Sequence, residues 1–259
     1  MSLLIWIVLF CLLGGVLSVL AAAVFLLLPQ ARREAVLPHL VSFATGALLS
    51  AAFTGLLPHA MERSDISRHA LAAAILAGLL LFFILEKLVI WRHCHHMHCE
   101  THAANLSAAR ERAAGMLIVL GDGIHNFVDG VIIGAIFLTD IKLGVVTSLA
   151  VAAHEIPQEL GSFAVLLNSG FSRTQAFAWN MIASLTTILG GVLAWASLSQ
   201  SSAALPYLIA IAVASFIYIA VADLIPGLHE STAPRESVLQ VLLIGLGITT
   251  IAVAEAVLH

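Results

Sequence analysis

The chain opens on a stretch of 26 positions without a charged side chain, LLIWIVLFCLLGGVLSVLAAAVFLLL at residues 3–28. A helix needs about 20 apolar residues to cross the roughly 30 Å hydrocarbon core of a bilayer. The rest of the sequence has the same character, with 61% hydrophobic residues, 10% charged residues and a mean hydropathy of +1.05. Soluble domains carry about a quarter charged residues, so a water-soluble fold is excluded.

Eight apolar blocks of this kind follow one another, separated by short polar breaks. They lack the alternation that is typical of transmembrane β-strands. The sequence therefore predicts an all-α membrane protein, a single transmembrane domain over residues 1–259 with eight spanning helices. The predicted spans are 3–28, 39–60, 69–91, 113–138, 143–168, 174–198, 205–228 and 237–258.

Lysine and arginine residues are distributed unevenly between the two sides of the predicted bundle. Cytoplasmic loops of membrane proteins are enriched in these residues. The breaks after helices one, three, five and seven hold eight of them and the opposite side holds three, so both termini are expected outside. No basic patch suggests nucleic acid as a partner.

Two consecutive helices carry polar side chains in the middle of their spans. The fourth contains GDGIHNFVDG at residues 121–130, and the fifth contains HEIPQELG at residues 154–161. An ionisable group at the bilayer centre costs roughly 2.5 to 3.5 kcal/mol on insertion scales, so each one needs a partner or a function. Positions i, i+1 and i+4 lie on or beside one helix face. By this spacing, one triplet is His125, Asn126 and Asp129, and the other is His154, Glu155 and Gln158.

The two triplets are expected to face each other, because a four-residue loop over residues 139–142 makes their helices antiparallel. Imidazole, carboxylate and amide oxygen then converge, a donor set that suits Zn²⁺ and also Fe²⁺ or Mn²⁺. The sequence therefore predicts a site for a divalent metal ion within the membrane. Asp223 in the seventh helix is a further intramembrane acid that would extend this site.

Several of these residues also have a structural interpretation. A single buried histidine is more often a hydrogen-bonded packing residue than a ligand, and Asn126 is also suited to an interhelical hydrogen bond. Asp122 is either an acid on the exit path or a partner of the primary ligands. Glu159 points roughly 100° away from the face of Glu155, so it either pairs elsewhere or acts as an accessory ligand.

The segment between the third and fourth helices, residues 92–112, is rich in metal-binding side chains. It holds five histidines, two cysteines and a methionine within 11 residues. Short tracts of this kind bind metal, although the spacing matches no zinc-finger pattern. We interpret it as a flexible cytoplasmic metal binder, with a solvated linker as the alternative. Its accessory ligands are His93, His95, His96, His98 and His102.

The two polar segments resemble the paired signatures of the ZIP (Zrt/Irt-like protein) metal transporters. Residues 125–130, HNFVDG, fit the signature HNFxDG, and residues 154–161, HEIPQELG, are similar to HExPHExG. The resemblance covers essentially the whole chain. It implies a transporter and not an enzyme, which moves Zn²⁺, and variously Fe²⁺, Mn²⁺ or Cd²⁺, into the cytoplasm as cargo, with no cofactor.

The resemblance also implies a fold and a ligand set. Family members arrange their helices as three, two and three, with the outer triplets related by inversion, and Pro58 and Pro226 would bend helices two and seven at corresponding places. Their site lies between helices four and five and often holds two metal ions. Carried over by position, the primary ligands are His125, Asp129, His154, Glu155 and Gln158. The second metal position is lined by Asn126, Asp129, Glu155 and Asp223, with Ser50 as an accessory ligand from helix two.

The chain departs from the branch of the family that these signatures define at Gln158 and in the second helix, where that branch usually carries an acid and a histidine near Ala51 and Gly55. Gln158 stands where that branch has a second histidine, and a neutral amide is a weaker and harder ligand than imidazole. Zinc is the first expectation for the cargo, with an iron or manganese importer or a metal exporter as alternatives. An intramembrane zinc protease is a remote alternative, because the motif HExxH needs a histidine at position 158.

The expected partners are divalent metal ions and the lipid bilayer, with a homodimer as the assembly. The short chain and its minimal termini favour the inner membrane of a prokaryotic cell as the location.

Overall fold

The computed structural model describes residues 2–62, 67–94, 104–198, 204–229 and 234–258, and nearly all of them are helical. Within these ranges there is no β-strand. The helices are α1 (Leu3–Gly14), α2 (Val16–Phe25), α3 (Gln30–Ser50), α4 (Leu57–Glu62), α5 (Arg68–Cys94), α6 (Ala104–Thr139), α7 (Ile141–Asn168), α8 (Arg173–Leu198), α9 (Leu205–Tyr218), α10 (Ile225–Leu228) and α11 (Pro234–Leu258). The prediction of an all-α fold is confirmed for this part of the chain.

Seven segments of the described chain are long and apolar enough to cross a membrane. They correspond to the predicted spans one to four and six to eight, and the first consists of α1 and α2, which meet at Gly15. The predicted fifth span is α7, a helix of 28 residues in which HEIPQELG begins at the midpoint. This polar segment lowers the hydropathy of α7, so the described bundle has seven to eight helices of membrane length.

Two of the spans contain a π-helical segment just before a proline. Residues Ala51–Leu56 form one between α3 and α4, and Ile219–Leu224 form the other between α9 and α10. Each segment ends two residues before its proline, Pro58 or Pro226. A proline has no N–H to donate, which favours a local change in the helical hydrogen-bond pattern. The irregular backbone therefore lies in the turn that precedes each proline.

Glycines allow the closest helix contacts in the bundle. Where α6 crosses α8, Gly130 faces the carbonyl oxygen of Thr187 and Gly190 meets the backbone of α6, with no room for a Cβ atom at either position. Gly46 and Gly247 make the same kind of contact where α3 crosses α11. Small residues let membrane helices approach closely, which strengthens their van der Waals packing. The contacts at Gly130 and Gly190 hold α6, the first polar helix, against α8.

Helix α7 lies in the centre of the bundle. It packs against α6, α3, α2 and α1, and 15 of its 28 residues are buried. By contrast, α5 and α11 expose large apolar side chains such as Leu76 and Val241, which face lipid in a membrane. The second polar helix is thus shielded from the hydrocarbon, and this allows it to carry ionisable side chains at membrane depth.

The connection between α6 and α7 is shorter than the sequence predicts. Only Asp140 separates the two helices, so the prediction of a four-residue loop over 139–142 is wrong. The carboxylate of Asp140 accepts a hydrogen bond of 2.8 Å from the backbone N–H of Leu143 and caps the N-terminus of α7. The cap starts α7 earlier than expected, and the two helices still form an antiparallel hairpin.

Helices α5 and α6 both extend into the predicted loop over residues 92–112. Helix α5 continues to Cys94, and α6 begins at Ala104, because residues 104–114 are rich in alanine, arginine and other good helix formers. His93 lies in the last turn of α5, with its side chain outside the described part of the structure. The loop histidines that lie wholly outside the described residues are His95, His96, His98 and His102.

Replacement of Gly130 by alanine is expected to destabilise the protein by about 1 to 3 kcal/mol, because the new methyl group overlaps the carbonyl of Thr187. The thermal midpoint of the purified protein in detergent should fall. Gly245→Ala is the matched control, since no atom lies within 4 Å of its added Cβ. Equal thermal midpoints for the two variants would contradict the close contact between α6 and α8.

Candidate metal centre

Four side chains of α6 and α7 meet at one point inside the bundle. They are His125 and Asp129 from α6 and His154 and Glu155 from α7, and their ligand atoms all lie within 4.8 Å of one another. Nε2 of His154 is 3.1 Å from Oδ2 of Asp129 and 3.5 Å from Oε1 of Glu155. Nε2 of His125 is 3.6 Å from the same Asp129 oxygen and 3.5 Å from the same Glu155 oxygen. The two imidazole nitrogens are 3.4 Å apart.

These distances have the size that a tetrahedral metal site requires. With metal–ligand bonds of about 2.0 to 2.1 Å, two ligands of a tetrahedral zinc ion lie about 3.3 to 3.4 Å apart. Five of the six distances between the four cluster atoms fall between 3.1 and 3.6 Å, and the sixth, between the Asp129 and Glu155 oxygens, is within 4.8 Å. Most of the spacing between the four donors therefore already suits a small dication.

A backbone contact sets the tautomer of His154. Its Nδ1 lies 3.2 Å from the carbonyl oxygen of Ala150, one turn earlier on α7. A carbonyl can only accept a hydrogen bond, so Nδ1 is the donor and carries the proton. In the neutral ring, Nε2 then carries a lone pair and no proton, and it faces a carboxylate oxygen of Asp129, which is also only an acceptor. The two lone pairs repel each other. A cation between the two atoms removes this conflict, and the Ala150 contact holds the ring in the orientation of a metal ligand.

The negative charge of the cluster also favours a bound cation. All four carboxylate oxygens of Asp129 and Glu155 are buried and receive no hydrogen bond within the described structure. Their only ionic contacts in that part of the chain are with the two histidines. A buried carboxylate without a partner is strongly unfavourable. Two carboxylates and one dication sum to zero charge, with both imidazoles neutral.

The cluster is closed on most sides. The side chain of His125 is 21% exposed, whereas Asp129 and His154 are fully buried and Glu155 is 1% exposed. Phe216 of α9 lies against His154, with the two ring centroids 6.4 Å apart and the rings steeply inclined. His125 is therefore the one member of the cluster that an entering ion can reach directly.

Gln158 is not part of the four-residue cluster. Its amide nitrogen donates a hydrogen bond of 3.3 Å to Oδ1 of Asp122 on α6. This bond ties α7 to α6 about one turn from the cluster, on the side towards the start of α6. The structure therefore places Asp122 and Gln158 together, with Asp122 as the partner of the Gln158 side chain.

Asn126 connects α6 to α8. Its amide group donates to the carbonyl of Asp122 at 3.1 Å, and its oxygen accepts a hydrogen bond of 2.8 Å from the hydroxyl of Thr187. This is the interhelical hydrogen bond that the sequence left open as an alternative. One lone pair of the Asn126 oxygen stays available, so the contact with Thr187 does not prevent a further ligand bond.

The remaining predicted residues lie around the cluster or apart from it. Glu159 is fully buried, and neither carboxylate oxygen has a hydrogen-bond partner within the described structure. Ser50 lies at the end of α3, where its hydroxyl contacts Thr54 and the backbone of α11. The backbone of Asp223 belongs to the second π-helical segment, and its side chain lies outside the described part.

Sequence reasoning missed three neighbours of the centre. The Ala150 carbonyl, the Thr187 hydroxyl and the Phe216 ring all contact predicted site residues. The Ala150 contact follows the i−4 spacing of a helix and was open to prediction from α7 alone. Thr187 and Phe216 belong to other helices, so only the packing of the bundle identifies them.

Comparison with known proteins gives an independent result. The profile of the family described as "ZIP Zinc transporter" matches residues 91–255, well over half of the chain. The chain belongs to the ZIP zinc transporter family. The matched range contains all four residues of the metal centre, and with the apolar helices it identifies this ZIP chain as an integral, multi-pass membrane protein.

Relatives of this ZIP chain come from several animals. "Zinc transporter ZIP4" of Homo sapiens is 42% identical over 120 residues, which cover 46% of this chain and 18% of that protein. "Zinc transporter foi" of Drosophila melanogaster is 41% identical over 135 residues, 52% of this chain and 19% of that protein. "Zinc transporter ZIP13" of Pongo abelii is 32% identical over 229 residues, 82% of this chain and 65% of that protein. The ZIP chain thus spans less than two thirds of the length of each.

Asp129→Asn is expected to weaken zinc binding to the ZIP chain by at least about tenfold, because an amide of the same shape removes one of two charges that face the ion. The measurement is a competition titration with a fluorescent chelator, in a background where the histidines of residues 92–112 are replaced. His69→Ala is the control, since His69 is exposed at the start of α5. Unchanged affinity in Asp129→Asn would exclude this residue as a ligand.

Proposed function

We propose that this chain carries a divalent transition-metal ion, with zinc as the first candidate, across the membrane into the cytoplasm. One observation supports the proposal above the others. Two buried carboxylates and two imidazoles lie close enough together to hold a metal ion, and no lysine or arginine pairs with the carboxylates in the described structure. The relatives that bear the name zinc transporter share the family and favour the same cargo.

The chemistry of the centre is suited to a site that both binds and releases its ion. Structural zinc sites are usually closed and often built from thiolates, whereas this cluster has no cysteine among its four members. His125 is partly exposed, and the other three ligands lie behind it. A mixed nitrogen and oxygen set also suits Fe²⁺ and Mn²⁺, which keeps an iron or manganese importer, and Cd²⁺ as cargo, as alternatives.

A second metal position beside the first belongs to the same proposal. Asn126, Asp129, Glu155 and Asp223 would line it, with a carboxylate bridging the two ions. Asp122, hydrogen-bonded to Gln158, and the unpartnered Glu159 lie towards the predicted cytoplasmic side. We assign this group of oxygen donors to the exit path, which leads to the histidine-rich segment between α5 and α6.

The proposed architecture is the arrangement of three, two and three helices, with the termini outside. The matching positions of the two π-helical segments, each two residues before its proline, support a relation by inversion between the outer triplets. The branch with the HNFxDG and HExPHExG signatures, the homodimer and the prokaryotic inner membrane stay predictions, and the relatives named above are eukaryotic.

The metalloprotease alternative has less support. Its motif needs a second histidine one turn after His154, and the residue at that position is Gln158, whose amide is directed to Asp122. The ZIP family consists of transporters, which favours transport over catalysis for the same ligands.

His154→Ala should abolish zinc uptake into liposomes that contain the purified protein, because it removes a fully buried ligand and leaves Asp129 and Glu155 without it. The measurement is the rate of fluorescence change of a zinc indicator inside the vesicles. His69→Ala should transport at the wild-type rate. Equal flux through His154→Ala and the wild type would reject the assigned site.

Gln158→His should raise the ratio of zinc flux to manganese flux, because an added imidazole near the centre favours zinc over the harder manganese ion. The two fluxes are measured in the same vesicle preparation, and Gln175→His, at an exposed position of α8, serves as the control. If the flux ratio stays at the wild-type value, Gln158 does not contribute to the selection between zinc and manganese.

The direction of flux requires a measurement in cells. Cells that produce the protein should accumulate more zinc than cells that produce His154→Ala. Lower accumulation in the presence of the wild-type protein would favour the exporter instead.

A further inference from the structure

A cavity of about 200 Å³ lies between α2, α3, α7 and α8, away from the metal centre. Two arginines line it, Arg33 in the first turn of α3 and Arg173 at the first position of α8. Its walls are otherwise apolar, and Phe163 and Phe177 are the largest side chains among them. The cavity thus combines two positive charges with a hydrocarbon surface.

The cavity lies at the border of the membrane. Helices α2 and α7 end beside it, and α3 and α8 begin there. This side of the bundle holds eight of the eleven lysine and arginine residues, which is typical of the cytoplasmic side. Leu27, in the rim of the cavity, is 77% exposed, so the apolar wall continues to the surface that faces lipid.

The charges of the cavity are only partly satisfied by the protein. Nε of Arg33 is buried and has no hydrogen-bond acceptor within the described structure. Guanidinium groups bind phosphate oxygens in a planar, two-pronged geometry. The starts of α3 and α8 contribute the positive ends of two helix dipoles to the same place. The cavity is therefore suited to a negatively charged group with several acceptor oxygens.

We propose that this cavity binds one anionic phospholipid of the cytoplasmic leaflet. Arg33 and Arg173 contact the phosphate of the headgroup, and an acyl chain packs along Phe163 and Phe177. Basic pockets between membrane helices on the cytoplasmic side have this binding chemistry. The apolar walls distinguish the site from one for a free phosphate ion, which would leave them without contact. The inference does not depend on the metal centre.

Native mass spectrometry of the full-length, delipidated protein tests this proposal with two lipids that have the same acyl chains, phosphatidylglycerol and phosphatidylcholine. The wild type should bind one phosphatidylglycerol more tightly than phosphatidylcholine. The double variant Arg33→Gln, Arg173→Gln should lose about tenfold or more in affinity for phosphatidylglycerol alone. Arg32→Gln removes a neighbouring exposed charge that does not line the cavity, and its affinity should stay within about twofold of the wild type.

A second variant protects the test against misfolding. Arg33→Lys, Arg173→Lys keeps both charges and should retain the preference for phosphatidylglycerol, and zinc titration should give wild-type affinity in all variants. An equal loss for both lipids, no loss in the glutamine variant, or full displacement of the lipid by soluble glycerol phosphate would overturn the proposal.

Discussion

The structure depends on the compensation of two negative charges inside a membrane protein. Asp129 and Glu155 are buried at membrane depth without a lysine or arginine partner in the described chain, and their oxygens face the imidazoles of His125 and His154. This arrangement is costly without a cation and neutral with one dication. A pair of carboxylates with a fixed positive partner would be a structural element, whereas a pair without one fits the proposed site that binds and releases an ion.

The rest of the bundle keeps these charges away from lipid and fixes their spacing. Helix α7 is surrounded by other helices, so the hydrocarbon contacts the apolar faces of α5 and α11 instead. Close glycine contacts hold α6 against α8, and the bond from Thr187 to Asn126 fixes the rotation of α6 about its axis. Asp140 caps α7 and closes the hairpin that sets the two polar segments at the same depth. Packing, capping and hydrogen bonding together therefore fix the spacing of the four cluster side chains.

Much of this arrangement could be predicted from the sequence, because the information is local. Hydropathy located the spans, and the i, i+1, i+4 spacing named six residues, four of which meet in the cluster. The partner of Gln158 could not be predicted, since its amide reaches Asp122 on another helix, and helix rotation decides whether such a side chain faces an ion or a neighbour. Pro58 and Pro226 indicated irregular backbone, but not that it takes the form of π-helical segments in the preceding turns. No sequence pattern marks Phe216 or Thr187 as a neighbour of the site, because their contacts with His154 and Asn126 follow only from tertiary packing.

The most direct measurement is an anomalous difference map at the zinc edge from crystals of the zinc-soaked protein. The proposed metal centre predicts a strong peak between α6 and α7, about 2.0 to 2.2 Å from Nε2 of His125, Nε2 of His154 and one oxygen each of Asp129 and Glu155. A map with zinc only at surface histidines, and with these four donors empty at saturating metal, would contradict it.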